Sequence, residues 1–333
     1  MCQRSIFSPA RVSGAVCGYP HETLIVSPKD IMQASPKDGG ASAGALYAVG
    51  AYLCWGLFPL YWKPLHGIPA FEILCHRVFW SALFVAALLV ATRGAGPLLA
   101  SLRDPRRVGV FALSSLMLSA NWMLYIWAVN SGHVVESSLG YFINPLFNVF
   151  LGRMVLGERL GRVQAVSVAL AAVGVIWLTV RLGQVPWIAL ALAASFGLYG
   201  LLRKRAPLPS LQGLALETFL MLPVAAGVLL WCEASGIGHF GHVSLPENLL
   251  LAGAGVVTAV PLLMFAAAAR RLTLTSLGLV QYISPTMQLL LGVLLFGEPF
   301  GGDRLAGFAF IWAGLLLYSG HSLLRFARRP AAA

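Results

Sequence analysis

Apolar residues in this chain come in long runs, and the polar positions gather in the short intervals between them. Roughly 20 apolar residues are what an α-helix needs to cross the ~30 Å hydrocarbon core of a bilayer. The pattern predicts ten such helices, over 43–63, 70–92, 108–130, 135–156, 162–181, 185–203, 210–232, 248–269, 273–296 and 304–324. The intervals hold the breakers and charges: HGIP at 66–69, RDPRR at 103–107, GERLGR at 157–162 and RKRAPLP at 203–209. The expected fold class is therefore an all-α polytopic membrane protein. Residues 1–42 and 326–333 read as polar tails, and the first lacks the apolar core of a signal peptide. Met32, just ahead of the first run, reads as an alternative start of translation.

One segment occurs twice. YFINPLFNVFLGRMVLGE (141–158) and QYISPTMQLLLGVLLFGE (281–298) align without a gap and share Ile, Pro, Leu, Gly, Gly and Glu. WGLFPLYWK near the first run is echoed by FGLYGLLRK near the sixth, and Glu72 early in the second run by Glu217 early in the seventh. The two copies lie five crossings apart, an odd number, so the second threads the bilayer in the opposite sense. Two inverted five-helix repeats are expected, 43–181 and 185–325, an arrangement that encloses a cavity at the repeat interface.

Composition agrees with lipid as the solvent. The chain is 58% hydrophobic and 11% charged, against about 25% charged in soluble domains. The net charge of +11 does not build a nucleic-acid face, because the basic residues sit in clusters flanking the runs. With the N-terminus inside, only Lys63, Arg77, Arg181 and Arg304 fall on or near the outer side, which places both termini in the cytoplasm. Five unpaired-looking cysteines suggest neither a disulfide framework nor a metal site, and His239-x-x-His242 alone is too sparse for one.

Polar and ionisable residues inside the runs are the candidates for chemistry. Pro145 and Pro285 fall near mid-depth, and each displaces the carbonyl four residues earlier, those of Tyr141 and Gln281. A freed carbonyl in hydrocarbon must face protein, water or ligand. Asn144 and Asn148 share one helix face, as do Gln281, Ser284 and Gln288, with Tyr282 beside them. These faces read as cavity walls and the prolines as hinges. FEILCHRVFW places Glu72, His76 and Arg77 within two turns, although a central Arg costs roughly 2.5–3.5 kcal/mol. Arg77 suits an anionic group of a substrate, while Glu72 and His76 suit a relay or a structural pair. Glu217 lacks a basic neighbour at helical spacing, so another helix or water must supply its partner. It is the candidate for a coupling proton, and Asn121 in NWMLYIWAVN is a further cavity candidate. The repeated Gly-Glu pairs read as structural helix ends.

The stretches AYLCWGLFPLYWK, PAFEILCHRVFWS, NWMLYIWAVNSGHVVESSLGYFINPL, LGERL, SFGLYGLLRK, ETFLMLP, VPLLMFAAAARRL and GLVQYISPTMQLLL resemble the RarD branch of the EamA group, within the drug/metabolite transporter superfamily. The resemblance covers about 43–325. It implies ten helices in two inverted repeats, cytoplasmic termini and movement of small metabolites or drugs across the bacterial inner membrane. It assigns no ligand residues.

Function classes narrow accordingly. No phosphate-cradling glycine loop appears, so ATP is not the expected energy source. The four aspartates stand singly in tails or loops, without the clustered carboxylates or Ser-His-Asp order of an enzyme site. No cofactor is expected. The expected function is a secondary transporter, with a small solute and a coupling proton as partners and the oligomeric state open. A membrane receptor or regulator of solute sensitivity is the alternative.

Overall fold

The computed structural model describes residues 38–130, 133–183, 185–295 and 302–327, and all regular structure among them is helical. In chain order the helices are α1 (Asp38–Gly56), α2 (Phe58–Trp62), α3 (Ala70–Ala91), α4 (Ala95–Leu102) and α5 (Pro105–Asn130). There follow α6 (Val134–Leu156), α7 (Arg162–Leu182), α8 (Trp187–Arg205), α9 (Ser210–Ala234) and α10 (Leu245–Arg271). The last are α11 (Leu274–Gln281), α12 (Ile283–Leu290) and α13 (Gly302–Ala327). Each predicted apolar run coincides with a helix or a broken helix. Among the described residues, eight segments are long and apolar enough to cross a bilayer; the remaining two runs correspond to α8 and α13. Basic residues fill the last turn of α8, and α13 carries an apolar stretch over Leu305–His321.

Patterning did not anticipate α4, which folds part of the 93–107 interval onto the bundle and buries Leu98 and Ser101. Elsewhere local chemistry sets the boundaries. Gly157 ends α6 in the left-handed region at φ 66, where a Cβ would clash with the backbone. Ser244 and Glu247 form a capping box at the start of α10. Glu158 accepts from Leu274 N (2.7 Å), Thr275 N (3.0 Å) and the Thr275 hydroxyl (2.9 Å), satisfying the open donors of α11. The other Gly-Glu pair, Gly297-Glu298, lies outside the described residues.

The two prolines of the duplicated segment behave differently. α6 passes through Pro145 unbroken. The second copy is interrupted at Tyr282, between α11 and α12, and ends in a π turn at Leu291–Leu295. The break follows Gln281, whose carbonyl Pro285 displaces. α9 and α10 also run through prolines, Pro223 and Pro261, without interruption. Proline alone therefore does not decide where these helices break.

Packing pairs α7 with α13, α6 with α8, α1 with α10, α3 with α9 and α10, α5 with α8, and α6 with α11. Exchanging the first five long helices for the second five maps each pair onto itself or onto another observed pair. At the centre, the Tyr282 hydroxyl donates to the Phe142 carbonyl at 3.2 Å, between positions that correspond in the aligned segments. α3 and α10 touch backbone to backbone. A Cβ on Gly255 would lie 2.3 Å from the Trp80 carbonyl carbon and 2.6 Å from Ser81 N, and the Ser81 hydroxyl donates to the Gly255 carbonyl. The main buried core joins Tyr52, Phe111, Tyr199, Leu214, Phe265 and Leu277. The outside of the bundle is apolar instead: Val90 is 78% and Leu294 79% exposed, which suits lipid and not water.

Candidate functional site

The duplicated segments and the runs around them wall a cavity of about 350 Å³. Its apolar lining includes eight aromatic rings: Tyr52, Trp55, Phe58 and Trp62 from α1 and α2, Trp122 and Tyr125 from α5, Tyr141 from α6 and Phe196 from α8. Its polar groups are Asn121 on α5, Asn144 on α6, Thr258 on α10, Gln281 on α11, and Ser284 and Gln288 on α12. One charged side chain is among the lining residues, Arg77 on α3.

Arg77 is held by neutral groups. Its Nε donates to the Thr258 hydroxyl at 3.0 Å. Its guanidinium carbon lies 4.5 Å from the Trp122 ring centre, 5.0 Å from Trp62 and 5.9 Å from Phe58. These are cation–π distances, and no carboxylate pairs with Arg77 among the described residues.

Of the residues singled out from sequence, Arg77, Asn121, Tyr141, Asn144, Gln281, Ser284, Pro285 and Gln288 come together on this cavity. Asn121 Nδ2 binds the Leu192 carbonyl and the Ser195 hydroxyl, and Gln288 Nε2 donates to the Trp55 carbonyl. Asn148 lies behind the wall, donating to Gln281 Oε1 at 2.8 Å. Pro145 and Tyr282 also sit off the lining.

Glu72, His76 and Glu217 do not reach the cavity. Glu72 pairs only loosely with His76, at 3.9 Å. Its firm partner is His239, whose backbone N and Nδ1 each lie 2.7 Å from the carboxylate. His76, buried beneath the Phe240 ring, has no hydrogen-bond partner on either ring nitrogen. The loop before α10 is thus pinned over the start of α3. Spacing alone suggested the His76 pair, because His239 is remote in sequence.

Glu217 is buried with Arg203, both side chains being 1% exposed, at 3.5 Å from its Nη1. The Ser114 hydroxyl donates to the same carboxylate oxygen, and the buried Tyr199 hydroxyl lies close to the carboxylate. Sequence analysis placed Arg203 in a membrane-flanking basic cluster at the end of a run; the structure buries it, among the largest fully buried side chains. Its neighbours cap other helices, Arg205 on the Val155 carbonyl of α6 (3.0 Å) and Lys204 on the Ala269 and Leu272 carbonyls at the end of α10. A void of about 10 Å³ beside the cavity touches both Arg77 and Glu217, room for about one water. Among the described residues no His/Cys/Asp/Glu group is arranged to hold a metal.

Residues 42–180 match the EamA-like transporter family, and residues 185–320 match it a second time. The chain belongs to that family. An EamA-family relative from Pseudomonas aeruginosa, named an uncharacterized transporter, is 47% identical over 287 residues, covering 86% of this chain and 96% of its own. Protein RarD of Streptomyces exfoliatus is 47% identical over 289 residues, covering 87% and 91%. A crystal structure 21% identical in sequence superimposes with a TM-score of 0.64 over 86% of this chain and 99% of the other, a likeness of fold. As an EamA-family protein the chain is a multi-pass bacterial membrane protein, and both matched segments contribute walls to the cavity.

Proposed function

We propose that this chain is a secondary transporter of the bacterial inner membrane that exports a small metabolite or drug-like solute by alternating access. The observation that carries this reading is the cavity, walled by helices of both family-matched segments. Its volume of about 350 Å³ falls in the range of small-molecule pockets, roughly 300–1,000 Å³. The transporter names of the relatives support it, and the basic clusters support cytoplasmic termini and repeats of opposite sense. Purified protein in liposomes, given a solute chosen by a thermal-stabilisation screen, should move it without ATP. An absolute ATP requirement would defeat the assignment.

The coupling ion in this reading is a proton carried by Glu217. A proton arriving from the cavity through the adjoining void competes with Arg203 for the carboxylate, and its binding releases the Arg203 side chain from Glu217. Glu217→Gln, reconstituted from its folded fraction, should transport with a flat pH profile where the parent's is steep. An unchanged profile would remove Glu217 from coupling.

A further inference from the structure

Among the described residues, Arg77 is a cation without an anion. Every carboxylate whose side chain is described is engaged elsewhere: Glu72 with His239, Asp104 with Arg107, Glu158 with the start of α11, and Glu217 with Arg203. The remaining two, Glu233 and Glu247, are held by His242 and Ser244. Thr258 takes only Nε, and the aromatic faces of Trp122 and Trp62 compensate a desolvated charge incompletely. The planar nitrogen fork of an arginine in such a place matches a carboxylate bidentately.

The rest of the cavity restricts what that carboxylate belongs to. Trp55 and Phe196 meet edge to face with ring centres 5.7 Å apart, and Tyr125 and Tyr141 do the same at 5.8 Å. These rings offer flat apolar surface to a flat apolar body. One fixed positive charge lines the space, and the walls are helices whose backbone donors are largely spent within the helix. A dianion such as a phosphate monoester would bring a second charge, and the described lining holds no second cation to meet it. A cation would be repelled by Arg77.

We propose that the transported solute is a monocarboxylate with an aromatic or similarly flat apolar body, its carboxylate paired with Arg77 and its body lying among the rings of α1, α5, α6 and α8. The assignment rests on the transport reading for the word solute, but its test does not. Purified protein in detergent is titrated with phenylacetate and phenylpropionate, and with their neutral amides, which have nearly the same shape. Affinity is read from thermal stabilisation and tryptophan fluorescence. The acids bind at least about tenfold more tightly than the amides, a difference that Arg77→Gln erases and Arg77→Lys erases in part. The proposal is overturned if neither acid binds, if the amides bind as well, or if Arg77→Gln leaves the preference intact. Phenyl phosphate binding more tightly than phenylacetate would overturn the single-charge assignment. The comparison of acid with amide needs no variant, so a misfolded Arg77→Gln protein leaves the test standing. Binding of the acids without any flux in liposomes would sink the transport reading and leave this site in place.

Discussion

Glu217→Ala and Arg203→Ala should each cost about 3–5 kcal/mol of stability, because each leaves one charge buried without its partner. Both side chains are 1% exposed, so bulk solvent does not screen the charge that remains. Glu217 also receives the Ser114 hydroxyl, and Arg203 Nη2 donates to the Ser210 carbonyl at 3.0 Å, so either loss orphans further groups. Replacing the pair together, as Glu217→Leu with Arg203→Met, should cost less than either single change, since packed apolar residues carry no desolvation penalty. A cycle of Glu217→Leu, Arg203→Met and the two together, followed by thermal unfolding in detergent, measures the coupling. Simple addition of the two single losses would show that the residues do not act as a pair.

Gly255→Val should be as damaging for a steric reason. The atoms that its side chain would meet are backbone atoms of Trp80 and Ser81, which cannot rotate aside. Overpacking typically costs roughly 1–3 kcal/mol, and here the helices themselves must part, so the upper end is expected. Parting α3 from α10 also breaks the Ser81–Gly255 and Arg77–Thr258 bonds, so the cavity loses the group that aims Arg77. Gly109→Ala is the control. Nothing lies within 4 Å of its added Cβ, and a helical Gly→Ala change gains roughly 0.5–1 kcal/mol. Equal unfolding temperatures for Gly255→Val and the parent would refute the close contact.

The helices were legible because lipid imposes one rule along the whole chain, and apolar length follows directly from it. Half-polar faces around the duplicated proline were legible too: Asn144, Gln281, Ser284 and Gln288 stand out where everything else is apolar, and they meet on one cavity. Arg203 was not. It sits beside Lys204 and Arg205 at the end of a run, where basic residues ordinarily mark the membrane surface, and its partner is on the next helix. His239 escaped for the same reason, since a loop residue gives no periodic sign of what it covers. The aromatic walls were hidden by abundance: Trp55, Phe58 and Phe196 look like any ring facing lipid or a neighbouring helix. Thr258, a lone hydroxyl in VVTAVP, was the one available hint of the group that positions Arg77.

The bond between Tyr282 and Phe142 carries a thermodynamic implication. A carrier made of two identical halves would have no inherent bias between its outward and inward arrangements, since a two-fold rotation in the membrane plane would turn each into the other. Phenylalanine has no hydroxyl to return the bond that its counterpart gives, and Trp62 stands where the second half has the buried Arg203. Under the alternating access proposed above, the two arrangements of this chain would therefore differ in energy before any solute or ion arrives, and that imbalance would set which side the empty protein faces at rest.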